Sequence, residues 1–245
     1  MSNLSILRTY ATKAASEFPN SILFAHTERT LTIYDAYPKA IFHFLILPRI
    51  RTESDLTLNE LNSLKTLLAC DQTRAKEVIT SLKDVADTVK KDIESEMMKR
   101  YGFKWPIWTG FHASPSMQHL HLHVVSGDLC STKLKNKKHY NSFHPKLGFF
   151  LHLDDVLSWF DSEPSYFTQM AKLDEKTYEK LLKEDLSCLH CGKSMKNIPT
   201  LKEHLQQEWE SDVARHRAQQ DRKRRLGETR SSEESDNHQD KKQKS

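Results

Sequence analysis

Three histidines alternate with leucines over five positions of this 245-residue chain, and this feature constrains the fold more than any other. The run is His119-Leu120-His121-Leu122-His123, and two valines follow it. Successive side chains of a strand point to opposite faces of its sheet. The pattern therefore predicts a strand over His119–Ser126, with aliphatic side chains in the core on one face and three imidazoles on the other.

Clustered histidines are also typical of a metal site or of an ordinary polar sheet face. At about 3.3 Å per strand residue, the three imidazoles spread over roughly 13 Å. The outer two would then reach a single zinc ion, with bonds of about 2 Å, only with difficulty. A row of this kind suits an extended, charged substrate better.

Hydrophobic spacing predicts the other elements. A period of 3.6 residues predicts helices over 4–18, 73–100, 154–160 and 171–184, and Thr57 with Glu60 fits a capping box at the start of a further helix. Apolar runs bounded by turn residues predict strands over Ile22–His26, Thr30–Tyr34, Ile41–Leu47, Ile107–His112 and Gly148–Leu153.

Composition limits the class of protein. No run of 18 apolar residues exists, and the first residues lack a basic-then-apolar signal pattern, so we expect neither a membrane span nor secretion. Residues 211–245 hold ten Lys/Arg and seven Asp/Glu, which is most of the net charge of +4. Any nucleic-acid affinity of the body must therefore come from local basic clusters. Apolar residues are rare in this last segment, which predicts a disordered charged tail over 211–245.

A cysteine motif predicts a zinc finger. Cys188 and Cys191 form a Cys-x2-Cys knuckle, and His204 follows after twelve residues, a spacing typical of zinc fingers. Glu208 lies one helical turn beyond His204 and is the predicted fourth ligand; His190 and a water molecule are the alternatives. We expect a structural zinc ion held by this set, in a helical joint and finger that span residues 163–210.

The histidine run resembles the signature of the histidine-triad nucleotide hydrolases and transferases. Asp35, followed by His43 in front of an aliphatic strand that ends in Pro48, matches the upstream part of the same pattern. Three further segments resemble the aprataxin family in particular: 37–40, 111–117 and 134–143. With the cysteine module, the resemblance covers roughly Ile22 to Trp209. No forkhead-associated domain precedes it in this sequence, so we expect the fungal type.

The resemblance implies an α+β histidine-triad fold, an antiparallel sheet with helices, over residues 1–162 and a small zinc-finger module after it. His121 is the expected nucleophile, because imidazole is nucleophilic near neutral pH. His43 and His123 are expected to donate hydrogen bonds to phosphate oxygens, and His112 to act as the acid. The remaining implied site residues are Ser116 and His119 in catalysis, Asp35 at the ribose, and Lys39, Lys137, Lys138 and Tyr10 for nucleotide or DNA.

The same resemblance implies a function. Aprataxins remove AMP from 5′-adenylated DNA ends left by abortive ligation, through a covalent histidine–AMP intermediate, in single-strand break repair. We therefore expect adenylated DNA or RNA–DNA ends as partners, AMP as product, no membrane partner, a monomer, and a location in the nucleus with or without a cytoplasmic pool.

Several alternatives stay open at this point. The basic cluster over 133–139 is either a solvated face or a DNA backbone contact. On the N-terminal helix, Tyr10 or Leu7 is the side chain expected to stack on a DNA end. Two other functions of the whole chain also stay open. It is either a general nucleotide phosphoramidase or dinucleotide hydrolase of the superfamily, or a non-catalytic zinc-finger protein that binds DNA.

Overall fold

A computed structural model describes residues 4–50 and 56–242, with side chains up to residue 225. Residues 1–3 of the predicted first domain and 243–245 of the predicted tail lie outside the described residues. Six antiparallel strands form one sheet in the order β1-β2-β3-β5-β4-β6. They are β1 Leu23–His26, β2 Thr30–Tyr34, β3 His43–Pro48, β4 Ile107–His112, β5 Leu122–Ser126 and β6 Phe150–His152.

Within the residues that the structure describes, eight α-helices accompany the sheet, so the predicted α+β class is confirmed. The longest internal helix begins where the Asp71 side chain accepts the Arg74 N–H, and it ends at Gly102, whose φ of 82° favours a residue without Cβ. The helices are α1 Ile6–Thr12, α2 Leu64–Leu68, α3 Gln72–Tyr101, α4 Lys137–Asn141, α5 Leu153–Trp159, α6 Pro164–Ala171, α7 Glu175–Leu181 and α8 Ile198–Lys242. Within these described ranges, no helix is both long and apolar enough to cross a bilayer.

One face of the sheet is covered by α3. Leu122 and Val124 of β5 point to this face and pack with the buried stripe of α3, which includes Ile79 and Leu82. Phe167 of α6 lies in the same core. The boundary predicted at residues 162 and 163 thus does not coincide with a gap in the packing.

The opposite face carries two separate apolar clusters. Leu7 of α1 is only 3% exposed and packs against β2 and β3, so the expectation that Leu7 stacks on DNA is wrong. Tyr10 is half-buried, with its ring edge-on to Phe18 at 5.2 Å between centroids. At the other end, Leu201 and Leu205 of α8 pack with residues of β5, α4 and β6. Between these two clusters lies the face that carries His43, His121 and His123.

Several predicted elements differ from the structure. The helix predicted over 4–18 ends at Thr12, and the helix predicted to start near Thr57 starts only at Leu64. The central strand begins at Leu122 and not at His119, because the N–H groups of His119 and Leu120 bond to the carbonyls of Asn62 and Leu61 and not to a strand. The helix predicted over 171–184 is divided between α6 and α7. Helix α8 continues to Lys242, through the segment predicted to be disordered. That segment has one glycine and no proline, and most of its charged residues favour helix.

Candidate active site

Four imidazoles meet on the sheet face between α1 and the finger, and we call them the histidine cluster: His43, His112, His121 and His123. The ring of His123 lies 5.3 Å from that of His43, 4.4 Å from His112 and 5.0 Å from His121, centroid to centroid. The cluster forms because β3, β5 and β4 are neighbours in the sheet. Gly110 lies opposite His123, and a Cβ there would meet the Phe150 ring at 2.6 Å.

Hydrogen bonds fix the tautomers of His43 and His123. The backbone N–H of Lys39 donates to His43 Nδ1 at 3.1 Å, so the ring proton of a neutral His43 lies on Nε2. That N–H donates to His123 Nδ1 at 3.0 Å, which puts the proton of His123 on its own Nε2. His123 Nε2 is buried and has no hydrogen-bond partner in the part of the chain that the structure describes. The Nε2–H group of His123 is therefore a hydrogen-bond donor that remains available to a ligand on this face of the sheet.

His121 has the opposite tautomer. Its Nδ1 donates to the carbonyl of His119 at 2.8 Å, because a carbonyl can only accept, and Nε2 therefore keeps its lone pair. An uncommon backbone conformation orients this carbonyl towards the His121 ring, since His119 has a φ of 90° although it is not a glycine. The arrangement leaves His121 with a nucleophilic nitrogen beside a hydrogen-bond donor.

His119 itself does not join the cluster. Its ring Nε2 donates to the carbonyl of Pro48 at 2.7 Å. The expectation of three imidazoles in one strand row is therefore wrong for His119, because its backbone has a φ of 90° and its ring bonds to the Pro48 carbonyl. Its contribution to the site is the carbonyl that orients His121.

Burial makes these histidines neutral. It lowers the pKa of His43 and of His119 to about 4. Burial also lowers the pKa of His121, and those of His112 and His123 well below their usual value. At pH 7 all five rings are uncharged, so His112 has no spare proton to give in the free protein.

The other predicted site residues lie around the cluster. Asp35 Oδ2 is 3.5 Å from His43 Nε2, and Asp35 Oδ1 accepts the N–H of Tyr37 at 2.6 Å. Burial lowers the pKa of Lys39, whose ammonium donates to the carbonyl of Tyr37. Ser116 is exposed in the loop before His119.

The two consecutive lysines at the start of α4, which were predicted to act together, have different surroundings. Lys138 is exposed. Lys137 Nζ instead donates to the carbonyl of Lys183 at 3.1 Å and lies 3.4 Å from Asp185, on the finger side. Lys138 is therefore exposed, whereas Lys137 is engaged by Lys183 and Asp185.

Sequence reasoning missed the role of Phe143. Its ring lies edge-on to His43, His112 and His123, at 5.2, 4.7 and 5.2 Å between centroids. It closes one side of the histidine cluster with apolar surface. An aromatic residue next to a lysine-rich segment gives no spacing signal that separates this role from ordinary core packing.

The predicted zinc ligands also come together, and we call them the zinc-ligand cluster: Cys188, Cys191, His204 and Glu208. All four donor atoms lie within 4.8 Å of one another. Sγ of Cys188 is 3.2 Å from Glu208 Oε2, Sγ of Cys191 is 3.2 Å from His204 Nε2, and Glu208 Oε1 is 2.9 Å from that nitrogen. Two thiols, an imidazole and a carboxylate at these separations fit a tetrahedral zinc ion with bonds of about 2.0–2.3 Å.

Helix α4 and the residues after it connect the two clusters. The hydroxyl of Tyr140 donates to the carbonyl of Ser187 and accepts the N–H of Leu189, both at 2.8 Å, on either side of the ligand Cys188. Three residues after Tyr140, Phe143 packs on the histidine cluster. The finger is therefore built against the candidate active site.

Comparison with known families supports both parts. Residues 9–139 match the family described as scavenger mRNA decapping enzyme C-term binding, and residues 146–211 match the C2HE / C2H2 / C2HC zinc-binding finger. The first match covers more than half of the chain.

Comparison with individual proteins points to aprataxins. The chain is 34% identical over 195 residues to aprataxin of Ciona intestinalis, a match that covers 79% of this chain and 44% of that protein. It is 35% identical over 178 residues to aprataxin of Danio rerio, covering 73% and 47%. The chain thus spans about half the length of these animal relatives. With an aprataxin-like protein of Saccharomyces cerevisiae it shares 28% identity over 224 residues, 84% of this chain and 95% of that protein.

Solved structures agree with the fold. The aprataxin ortholog Hnt3 in complex with DNA is 25% identical, has a TM-score of 0.62, and covers 88% of this chain and 98% of its own. A structure of the ortholog from Schizosaccharomyces pombe, at 24% identity and a TM-score of 0.54, covers 82% and 90% and has the same fold.

Proposed function

This chain belongs to the histidine-triad superfamily and is homologous to the aprataxins, and from that premise we propose that it hydrolyses 5′-adenylated DNA ends to AMP and a 5′-phosphate. The observation that carries the proposal is the pair of opposite tautomers in the histidine cluster. His121 has a free Nε2 lone pair, and His123 beside it has an unused Nε2–H.

In the first step, Nε2 of His121 attacks the α-phosphorus of the adenylate. A nitrogen–phosphorus bond forms as the bond to the bridging oxygen breaks, and the DNA leaves with its 5′-phosphate. His123 Nε2–H donates to a non-bridging oxygen as negative charge grows there. The leaving phosphate has a second pKa of about 6, so it departs without a strong acid, in keeping with the neutral state of His112.

In the second step, water attacks phosphorus from the opposite side, and the nitrogen–phosphorus bond breaks. AMP is released and His121 regains its lone pair. Burial lowers the pKa of His112 in the free protein, but the negative phosphate of the bound adenylate opposes that shift, so that His112 accepts the proton of the attacking water. Its Nε2 is buried, and within the described ranges it bonds to no other group.

The substrate class follows from what surrounds the cluster. Lys138 is exposed on α4, the helix that precedes Phe143 at the cluster, and α1 with Tyr10 packs on β2 and β3. In this proposal a DNA end bound at the cluster contacts both, whereas a dinucleotide needs neither. The solved complex of Hnt3 with DNA supports this assignment. RNA–DNA ends present the same adenylated 5′-phosphate and belong to the same class.

The zinc ion has a structural part in this proposal. The metal would be held by Cys188, Cys191, His204 and Glu208, and its positive charge would offset the negative charge of these ligands. It would thereby fix the knuckle to which the Tyr140 hydroxyl is hydrogen-bonded. Zinc supplies folding energy to modules of this size.

We also propose a nuclear, monomeric repair protein. The basic run over 222–225 is exposed on α8 and has the composition of a nuclear localisation signal. A fluorescent fusion in which these four residues become alanine tests the first point, since it should lose nuclear accumulation. Light scattering of the purified protein tests the second.

The deciding experiment compares kcat/KM on 5′-adenylated nicked DNA with kcat/KM on a diadenosine polyphosphate of the same anhydride chemistry. We expect the DNA substrate to be preferred by at least about tenfold, because phosphate contacts add binding energy that a dinucleotide lacks. Equal values would favour a general dinucleotide hydrolase. No release from either would favour a non-catalytic DNA-binding protein.

A further inference from the structure

One buried carboxylate has no part in the chemistry above. Asp128 lies two residues after β5 and is 3% exposed. Its two oxygens accept four hydrogen bonds, from the N–H groups of Ile41 and Cys130 at 2.9 Å each, from Trp105 Nε1 at 3.0 Å, and from the Ser126 hydroxyl. Burial raises the pKa of Asp128, and these hydrogen bonds oppose the shift. A group that only accepts is in its carboxylate form.

The four donors come from three parts of the chain. Ser126 and Cys130 flank Asp128 itself, and Trp105 precedes β4. Ile41 belongs to the segment over 39–42 that leads into His43. Ser126 completes this attachment, because its hydroxyl oxygen accepts the N–H of Phe42 at 3.0 Å. The two N–H groups just before His43 are therefore fixed by Asp128 and by a hydroxyl that Asp128 orients.

The same segment sets the tautomer of His43. Its first residue, Lys39, gives the N–H that occupies His43 Nδ1. If the segment shifts, that hydrogen bond is lost and His43 is free to place its proton on Nδ1. His43 would then no longer donate to His123, and the Nε2–H of His123 would no longer be fixed.

We propose that Asp128 is a positioning residue, which holds the 39–42 segment so that His43 and, through it, His123 keep the tautomers that the reaction uses. The proposal rests on the proposed function for its catalytic consequence. The tautomer of His43 can be measured independently of activity, so the two claims can fail separately.

The test is Asp128→Asn in the full chain. Asparagine has the same shape but replaces one acceptor oxygen by an NH2 group, which faces N–H donors and cannot bond to them. Long-range 15N spectra of the histidine rings should show a single Nε2–H tautomer for His43 in the wild type and a mixture in the variant. On adenylated DNA, kcat should fall on the order of 10–100-fold, less than outright loss of an oxyanion donor. KM should change little, because DNA affinity is spread over many phosphate contacts.

Leu82→Ala is the matched control for lost stability. Leu82 is buried in the core on the other face of the sheet, so this variant lowers Tm without reaching the 39–42 segment. It should keep the single tautomer and a kcat near that of the wild type. If Asp128→Asn resembles Leu82→Ala in both readouts, the proposal is overturned and Asp128 serves stability alone.

Two further outcomes are informative. If Asp128→Asn does not fold, Ser126→Ala frees the N–H of Phe42 and removes one donor to Asp128, and a smaller shift of the same tautomer is expected; an unchanged tautomer would overturn the proposal. If the wild type releases no AMP from adenylated DNA, the proposed function fails. The spectra of the variants would still decide whether Asp128 positions His43.

Discussion

The histidine cluster and the zinc-ligand cluster both bring four polar side chains within a few ångströms, but the backbone spaces them differently. The histidine cluster comes from three neighbouring strands and from His121, the residue just before β5, so its rings stand side by side along a sheet. The zinc-ligand cluster comes from a knuckle and one turn of a helix, so its donor atoms point at one another.

Their hydrogen bonding differs in the same way. The rings of His43, His121 and His123 are buried, and bonds to backbone groups and to one another fix their protons, whereas His112 is half-buried. In the zinc-ligand cluster, the Cys188 thiol donates to Glu208 and the Cys191 sulfur lies against His204 Nε2. When the thiols lose their protons, all four side chains offer lone pairs to one point, an arrangement that suits a zinc ion. The spacing of strands therefore produces a surface that suits an extended, phosphate-containing substrate. The knuckle and the helix instead direct their donor atoms to one position, which suits a metal ion.

The largest expected effect separates chemistry from binding. His121→Ala should lower kcat on adenylated DNA on the order of 10⁴-fold or more, as loss of a nucleophile does elsewhere. DNA affinity should stay near wild type, because it is spread over many phosphate contacts. A variant that keeps more than a tenth of the wild-type rate would exclude His121 as nucleophile.

Acid should destabilise the fold through two buried histidines, His43 in the cluster and His119 outside it. The folded-state pKa values of His43 and His119, about 4, lie below the usual 6.5, so the unfolded chain binds more protons between those values. Unfolding free energy then falls as pH drops from 6.5 to 5, approaching at least about 1.4 kcal/mol per pH unit, the slope of one such group. Urea titrations at several pH values measure the slope.

The exposed His26 offers the matched control for that slope. His26→Asn should leave the pH dependence as it is, whereas His119→Asn should reduce it. Stability that does not change between pH 6.5 and 5 would mean that the rings are not neutral by burial.

A third change affects only the zinc-ligand cluster. Glu208→Gln should raise the rate of zinc loss to a chelator by at least about tenfold, since a neutral amide is a poorer ligand than a carboxylate. AMP release from a minimal adenylated substrate should fall less than zinc retention does. Glu203→Gln, exposed on the same helix, is the control. Equal zinc retention in both variants would assign the fourth ligand to His190 or water.

The smallest expected effect concerns DNA contact. Lys138→Ala should weaken DNA binding and reduce the slope of log affinity against log salt by roughly 1, the contribution of one phosphate contact. Lys91→Ala, exposed on α3 on the far side of the sheet, should leave the slope unchanged. The same slope in both variants would make Lys138 an ordinary surface lysine.

The sequence predicts these two regions to different depths. The zinc ligands follow from local spacing, since the knuckle and the helix need only short-range geometry, and the structure brings Glu208 to the predicted place. The alternation of histidine and leucine likewise predicts which side of β5 each residue faces, and Leu122 and Val124 lie in the core as expected.

What spacing could not predict depends on contacts distant in sequence. His119 is not part of the strand, because its N–H donates to the Asn62 carbonyl and its ring donates to the Pro48 carbonyl. The fourth member of the histidine cluster, His112, arrives through the pairing of β4 with β5. Asp128 is one acidic residue in a loop by sequence, and only the fold shows the four donors around it.

The most direct test of the account is to trap the adduct on the wild-type protein. Excess protein is mixed with 5′-adenylated DNA and quenched within one turnover at alkaline pH, where a histidine phosphoramidate survives, and its peptides are mapped by mass spectrometry. The account predicts AMP on the peptide that contains His121, with fragmentation that places it on that residue. AMP found on another residue, or AMP released at the full rate with no adduct at any time, would contradict it.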